Sequence, residues 1–262
     1  MYNFSFFCII FSALFLPTIV IAQTPNAGKN TIIIRGERQD VYFYPAEGQL
    51  NHPNSKILFA PGDGGWRGFA ITVAKIVASW GYDVYGLDTK RYLESFTDRS
   101  TLKETDVMAD FQRIAYWITQ KSDERVILVG HSEGAGLCLL AAASDENKKS
   151  FSGLVSIGLS ESSILGWRLL DDITYITKKI PNEPTFESVN FLPKVSPLPI
   201  LMIQSSQDEY VSAEAARKLF SNAREPKRFL LIKSQNHRFD GNTDEFFRAL
   251  REGIEWIREM SR

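Results

Sequence analysis

The chain has 262 residues, of which 44% are hydrophobic and 23% are charged, and its formal net charge at pH 7 is −1. This length and composition are typical of one large globular domain with a sizeable core, and they argue against a disordered chain or a repeat array. Proteins that bind nucleic acid usually carry a clear surplus of Lys and Arg. A net charge near zero therefore argues against nucleic acid as a partner.

Residues 1–22 form an apolar leader that contains no Asp, Glu, Lys or Arg. The leader ends in Val20-Ile21-Ala22, which fits a small-residue cleavage site before Gln23. We therefore predict a cleaved secretory signal peptide over residues 1–22 and export of the mature protein. Because the start of the leader lacks Lys and Arg, a retained membrane anchor is the alternative.

Strand and helix patterns alternate along the rest of the chain, after a polar linker at residues 23–30. Short β-branched and apolar runs predict strands at 31–35, 40–44, 56–60, 83–87, 125–129, 153–158, 199–204 and 228–233. Apolar residues at helical spacing predict helices at 69–80, 104–120, 213–220 and 243–259. The first two strands are expected to form an antiparallel edge. The alternation from Lys56 onward predicts a single α/β domain, residues 31–262, with a mostly parallel, doubly wound sheet.

The regular alternation is interrupted between about residue 160 and residue 196. Apolar residues within this stretch recur at helical spacing and predict an amphipathic helix that the sheet does not require: Leu165, Leu169, Ile173, Ile176 and Ile180. We interpret the stretch as a small lid insertion. The alternative is an ordinary crossover helix followed by a long return loop at 181–196.

A Gly-x-Ser-x-Gly sequence, Gly130-His131-Ser132-Glu133-Gly134, follows the strand at 125–129 and precedes a small-residue helical stretch. This context is that of a nucleophile elbow, a sharp turn that exposes a serine hydroxyl above the sheet. The glycines are required because larger side chains would collide with the neighbouring backbone. We therefore predict that Ser132 is a nucleophile. Because serine is a weak nucleophile, a base and an acid that orients the base must accompany it.

Asp208 and His237 each lie four residues past a predicted late strand. The carboxyl ends of parallel strands share one edge of a sheet, so both side chains are expected close to Ser132. The order Ser, Asp, His is that of the catalytic triad in α/β-hydrolases, which makes an α/β-hydrolase fold the prediction. Glu209 is the alternative acid. His131 is expected to face away from the nucleophile and to pack.

The loop Pro61-Gly62-Asp63-Gly64-Gly65-Trp66 follows the predicted strand at 56–60 directly. Glycine-rich backbone at this place can form the oxyanion hole of the fold, and we predict that the backbone N–H groups of Asp63 and Glu133 form it. A tight turn without a role is the alternative. A charged loop at 88–92 is expected at the same edge of the sheet. Residues of the two loops that we predict to bind substrate are Asp63, Gly64, Trp66, Arg91 and Tyr92.

The predicted reaction is the transfer of an acyl group from an ester to water. His237 would take the proton of Ser132 during the attack and return it to the leaving group, while Asp208 orients the imidazole and stabilises the imidazolium. A serine at the elbow argues against an epoxide or haloalkane hydrolase, because those enzymes have an aspartate as the nucleophile at this position. The sequence contains no metal-binding motif, so we predict neither a metal nor another cofactor.

Several blocks of the sequence resemble the AcvB/VirJ family of bacterial virulence proteins. These blocks are residues 59–68, residues 86–92, the elbow at 130–134 and residues 237–241. The resemblance implies a periplasmic location, and AcvB-type members are similar to hydrolases that deacylate lysyl-phosphatidylglycerol. It therefore implies that the substrate is an aminoacyl ester of a phospholipid, met at a membrane surface.

The sequence leaves two other functions open. The first is that of a general carboxylesterase or thioesterase. The second is that of a periplasmic protein without catalytic activity, because VirJ-type relatives are associated with secretion machinery and a hydrolase fold does not by itself prove catalysis. The side chain of Asp63 has two possible roles. It would bind the ammonium of an aminoacyl ester, or it would only cap its own glycine turn.

Overall fold

The computed structural model describes residues 25–47, 56–97, 101–120, 122–168, 171 and 183–261. The predicted signal peptide and its cleavage site before Gln23 lie outside the described residues. The longer strands are β1 (Gly28–Ile34), β2 (Glu37–Tyr44), β3 (Lys56–Ala60), β4 (Asp83–Leu87), β5 (Val126–His131), β6 (Phe151–Ile157), β9 (Ile200–Ser205) and β10 (Lys227–Ile232). The helices are α1 (Phe69–Ser79), α2 (Thr89–Phe96), α3 (Glu104–Thr119), α4 (Glu133–Ala143), α5 (Ala213–Phe220) and α6 (Thr243–Met260).

These eight strands form one sheet in the order β1-β2-β4-β3-β5-β6-β9-β10. The β1–β2 and β2–β4 pairs are antiparallel, and every other pair in the sheet is parallel. The predicted fold, a mostly parallel sheet with an antiparallel N-terminal edge, is thereby confirmed. The predicted linker is too long, however, because β1 begins at Gly28 and pairs with β2 from its first residue.

The sheet is covered by helices on both faces. Side chains of α3 and α4 pack in one apolar core, and side chains of α1 and α6 pack in a second core on the other face. Strands β5, β6 and β9 are buried along their whole length. Continuous apolar runs suit such strands because the central strands of a parallel sheet meet helices on both sides. The carboxyl ends of these strands therefore meet at one edge of a rigid platform.

Helix α2 corrects the prediction of a charged loop at 88–92. The Asp88 side chain accepts a hydrogen bond from the backbone N–H of Arg91 at 3.2 Å and caps the helix. The apolar side chains of Tyr92, Leu93 and Phe96 are buried against the core. A helix of two turns takes its stability from such burial rather than from its own propensity, which is why its charged sequence suggested a loop.

The insertion after β6 contains the two-stranded antiparallel pair β7 (Ser162–Ile164) and β8 (Thr185–Glu187). Residues 165–168, where the predicted amphipathic helix would begin, follow β7 without helical structure. Most of the rest of that helix lies at 169–170 and 172–180, outside the described residues, so the lid remains a prediction. Among the helices of the described ranges, none has the length and apolarity that crossing a membrane requires.

A buried polar cluster ties α2 to α3 and to the β1–β2 turn. The Tyr92 hydroxyl donates a hydrogen bond to Asp110 at 2.9 Å, and the guanidinium of Arg35 lies 3.8 Å from the same carboxylate. The Asp110 side chain is fully buried. Burial raises its pKa to about 6, although the Tyr92 hydrogen bond and the Arg35 charge act in the opposite direction.

We expect Asp110→Asn to remove a pH dependence of stability. The native chain binds the Asp110 proton more tightly than the unfolded chain does, so this group's contribution to stability is complete below the unfolded pKa and declines as the pH rises toward the folded one. Urea unfolding from about pH 4 to about pH 7 should show the free energy of unfolding of the wild type falling by roughly 2–3 kcal/mol relative to Asp110→Asn. A difference between the two proteins that does not change with pH would contradict this account of the cluster.

Candidate active site

Ser132 lies at the turn between β5 and α4 with φ 55° and ψ −125°. This positive φ is uncommon for a residue other than glycine and stores strain at the turn. The flanking glycines are sterically required. A Cβ at Gly130 would lie 2.5 Å from a backbone atom of α4, and one at Gly134 would lie 2.0 Å from the carbonyl oxygen of Ala60. The structure thus contains the nucleophile elbow that the sequence predicts.

Asp208 is hydrogen-bonded to the ring of His237, with 2.6 Å between Asp208 Oδ2 and His237 Nδ1. The other carboxylate oxygen accepts hydrogen bonds from the backbone N–H groups of Tyr210 at 2.9 Å and Val211 at 3.0 Å. Burial by itself would raise the pKa of Asp208, but these bonds and the nearby His237 outweigh it and hold the pKa below its ordinary value. Asp208 is therefore an ionised carboxylate that can orient the imidazole and stabilise its charged form.

The end of β6 contacts both Ser132 and His237. The backbone N–H of Ser132 donates to the carbonyl of Ile157 at 2.9 Å. The next residue, Gly158, has φ 61°, and a Cβ there would lie 2.5 Å from Cε1 of the His237 ring. His237 Nε2 is buried and has no hydrogen-bond partner among the described residues. This is the nitrogen that must accept the serine proton, and in the absence of substrate such catalytic contacts are often long.

Glu209 binds the backbone of the base and not its ring. Its carboxylate accepts a hydrogen bond from the backbone N–H of His237 at 2.8 Å. The geometry therefore favours Asp208 as the acid that orients the imidazole. Tyr210, the next residue, places its ring 5.2 Å from that of His237.

The glycine-rich loop packs directly on the nucleophile. A Cβ at Gly62 would lie 3.0 Å from Ser132 Cβ and 3.5 Å from Ser132 Oγ. The turn is closed by a hydrogen bond of 3.0 Å from the backbone N–H of Gly65 to the carbonyl of Gly62. Asp63 follows Gly62 in this turn, and Glu133 is the first residue of α4, where the helix dipole favours negative charge. The loop is thus close enough to support the predicted oxyanion hole.

The Glu133 side chain makes a contact that could not be predicted from the sequence. Its carboxylate accepts a hydrogen bond from the backbone N–H of Ile164 in β7 at 3.1 Å, which joins the elbow to the insertion. Burial, together with the nearby Asp63 carboxylate, raises the pKa of Glu133 to about 8 against the effect of that bond. Two acidic side chains therefore lie close to each other beside the nucleophile.

Trp66 occupies a position in the core under the loop. Its side chain is 9% exposed and stacks on Tyr42 with 5.1 Å between ring centroids. The indole lies against Gly86, where an added Cβ would come within 1.7 Å of the ring. Gly64 lies in the loop itself and is half-buried. We therefore assign Trp66 to the support of the loop, and we keep Gly64 and Asp63 as the predicted substrate contacts.

Arg91 and Tyr92 are placed differently from the prediction of substrate contacts. The Tyr92 side chain is fully buried and its hydroxyl donates to Asp110, so it has no surface to offer a substrate. Arg91 points to β2, where its Nε lies 3.3 Å from an Asp40 carboxylate oxygen and 3.3 Å from the Arg38 carbonyl. Both residues belong to helix α2, which turns their side chains toward the core and β2. The sequence pattern predicts a loop here instead.

The fold, the elbow at Ser132 and the hydrogen-bonded pair Asp208 and His237 are the arrangement of a serine hydrolase with an α/β-hydrolase fold. Residues 55–165 match the family described as bacterial virulence protein (VirJ), which confirms the predicted resemblance over the oxyanion loop and the elbow. The uncharacterized protein YfhR of Escherichia coli (strain K12) is 21% identical over 206 residues, which are 77% of this chain and 70% of YfhR.

Solved structures are similar to the chain over most of its length. The α/β hydrolase GrgF from Penicillium sp. sh18 has a TM-score of 0.66 at 12% identity and covers 87% of this chain and 97% of its own. Est1E from Butyrivibrio proteoclasticus has a TM-score of 0.62 at 15% identity and covers 89% of this chain and 99% of its own. At such identities the likeness shows the fold, and the chemistry rests on the triad.

We expect Ser132→Ala and His237→Ala each to lower turnover of a p-nitrophenyl ester by several orders of magnitude. The double variant should be hardly worse than either single variant, because nucleophile and base act as a unit. Asp208→Ala should cause a smaller loss, since the serine and the base remain. Steady-state kinetics would test this, with Ser79→Ala at the end of α1 as a matched serine control. Losses that multiply in the double variant would contradict the assignment.

Proposed function

We propose that the chain is an exported hydrolase that cleaves an aminoacyl ester of phosphatidylglycerol, such as lysyl-phosphatidylglycerol, in the periplasm. Ser132 at the elbow and the hydrogen-bonded pair His237 and Asp208 support the hydrolytic part of the proposal. The resemblance to the VirJ family and the acidic side chains at the nucleophile support the choice of ester. An intact triad also favours an enzyme over a secretion-linked protein that only binds partners.

The proposed reaction has two acyl-transfer steps. Ser132 attacks the aminoacyl carbonyl while His237 takes its proton, and the oxyanion of the tetrahedral intermediate is bound by backbone N–H groups of the loop and of α4. His237 then protonates the glycerol oxygen, which releases phosphatidylglycerol and leaves the aminoacyl group on Ser132. Water repeats the sequence with the same base and releases the free amino acid.

The charges around the nucleophile suit a cationic acyl group. Negative carboxylates close to a developing oxyanion would raise its energy unless a cation pairs with them. Burial is the main cause that raises the pKa of Glu133 to about 8, and the charge of nearby Asp63 adds to it. An aminoacyl ester carries an ammonium next to the scissile carbonyl, within reach of a side chain on the oxyanion loop. Asp63 is the candidate for that contact.

The location and the partner follow from the same proposal. The uncharged apolar leader supports export, and a lipid-linked ester would bring the enzyme to the surface of a membrane. A general carboxylesterase or thioesterase would share the triad, but the acyl group of its substrate would offer no cation to Asp63. Substrate charge is therefore the property that separates the two activities.

We expect Asp63→Asn to lose activity on lysyl-phosphatidylglycerol and to keep it on a neutral p-nitrophenyl ester. The amide retains the ability to cap the turn but cannot pair with an ammonium. A charge-assisted hydrogen bond contributes about 1.5–3 kcal/mol, so the expected loss in kcat/KM is about 10- to 100-fold. Release of lysine from the lipid in detergent micelles would be measured beside release of p-nitrophenol.

Asp123→Asn serves as the matched control, because this exposed carboxylate precedes β5 at the opposite edge of the sheet. It should leave both activities unchanged. If Asp63→Asn reduced both activities equally, Asp63 would shape the oxyanion hole without recognising an amine. If the wild type did not release lysine but hydrolysed neutral esters, the general esterase would replace the proposed substrate.

We expect the mature protein to begin at Gln23. The small residues at the end of the leader favour cleavage there, after transport across the inner membrane. Mass spectrometry of the protein from a periplasmic extract would determine its N-terminus. An intact Met1 on protein recovered in the membrane fraction would show instead that the leader is a retained anchor.

A further inference from the structure

His131, the residue before the nucleophile, contacts the catalytic base directly. Its ring Nε2 lies 3.3 Å from the backbone carbonyl oxygen of His237, and the centroids of the two rings are 4.6 Å apart. On another side its ring packs against Phe69 of α1 at 4.8 Å. The side chain is almost fully buried between these neighbours. The expectation that His131 packs is therefore incomplete, because one of its partners is the base itself.

Burial keeps the His131 ring neutral, and the hydrogen bond fixes which ring nitrogen carries its proton. Burial, with the charge of nearby His237 adding to it, lowers the pKa of His131 to about 3, so the ring is neutral at physiological pH. A carbonyl oxygen only accepts hydrogen bonds, so the single ring proton of His131 is on Nε2. A neutral neighbour also does not repel His237 when it becomes an imidazolium.

The peptide of His237 is consequently held at both of its polar groups. Glu209 accepts a hydrogen bond from its N–H at 2.8 Å, and His131 donates to its carbonyl at 3.3 Å. The ring is held separately by Asp208 at Nδ1. His237 lies in the loop after β10, which is closed by backbone hydrogen bonds from Gln235 to Asp240 and from Phe239 to Asn236. The contacts with Glu209, His131 and Asp208 join this loop to the rest of the site.

We propose that His131 is a positioning residue that sets the place of the catalytic base relative to the nucleophile. His131 is hydrogen-bonded to the backbone of His237 and directly precedes Ser132 in the chain. It therefore connects the base to the nucleophile through one residue. Loss of its donor would let the loop of His237 shift, and a shift of about 1 Å in a catalytic group can cost about 100-fold in rate. The proposal rests on the hydrolase function proposed above.

The test distinguishes the effect of losing the hydrogen-bond donor of His131 from the effect of changing the shape of its side chain. His131→Phe keeps a ring but has no donor, His131→Leu keeps apolar bulk without a donor, and His131→Gln keeps an N–H at a similar distance from the main chain. The full-length protein would be assayed on a neutral p-nitrophenyl ester, after circular dichroism has shown that each variant is folded at the assay temperature. Phe69→Leu, which changes the packing of His131 without touching His237, is the control.

We expect the Phe and Leu variants to lose kcat by about 10- to 100-fold while KM changes by less than about twofold, since the loss lies in the chemical step. The Gln variant should recover most of the activity, and Phe69→Leu should resemble the wild type. Wild-type kcat in the Phe or Leu variant would overturn the proposal, as would equal losses in the Phe, Leu and Gln variants. Turnover that survives Ser132→Ala in this assay would instead overturn the hydrolase function itself.

Discussion

The left-handed backbone at Ser132 is the constraint on which the site depends. A strand and a helix can meet at so sharp an angle only because the backbone of Gly134 passes against the carbonyl of Ala60 and that of Gly130 against α4. The strain is held by the packed sheet on one side and by the buried helix on the other. With the hydroxyl fixed in this way, the acid and the base have to reach it from the ends of other strands.

The two carboxyl groups of Asp208 and Glu133, close to the nucleophile and the base, differ in how strongly their anionic form is stabilised. Asp208 is stabilised as an anion by four hydrogen bonds, from His237, Gln204 and two backbone N–H groups. Glu133 receives one bond, and its pKa is raised to about 8. The Asp208 carboxylate is thus ionised before substrate binds, whereas burial keeps the Glu133 carboxyl group protonated at neutral pH.

The sequence predicted the sheet, most helix bounds and the triad, because buried strands and amphipathic helices leave periodic patterns and because strand ends share one edge. It did not predict α2, a short helix that depends on burial of Leu93 and Phe96. Because α2 was not predicted, Arg91 and Tyr92 were wrongly expected to contact the substrate. The contacts of Glu133 with β7 and of His131 with His237 could not have been predicted either. They depend on how an irregular insertion and a loop cross the elbow, and the sequence carries no periodic signal for such paths.

The central claim is that Ser132 is a nucleophile activated by His237. Labelling of the purified protein with a fluorophosphonate probe tests it most directly, because the probe reacts covalently with an activated serine. The account predicts stoichiometric labelling at Ser132, identified by peptide mass spectrometry, that is abolished in Ser132→Ala and greatly slowed in His237→Ala. Absence of labelling in the folded wild-type protein, or labelling at a different serine, would contradict it.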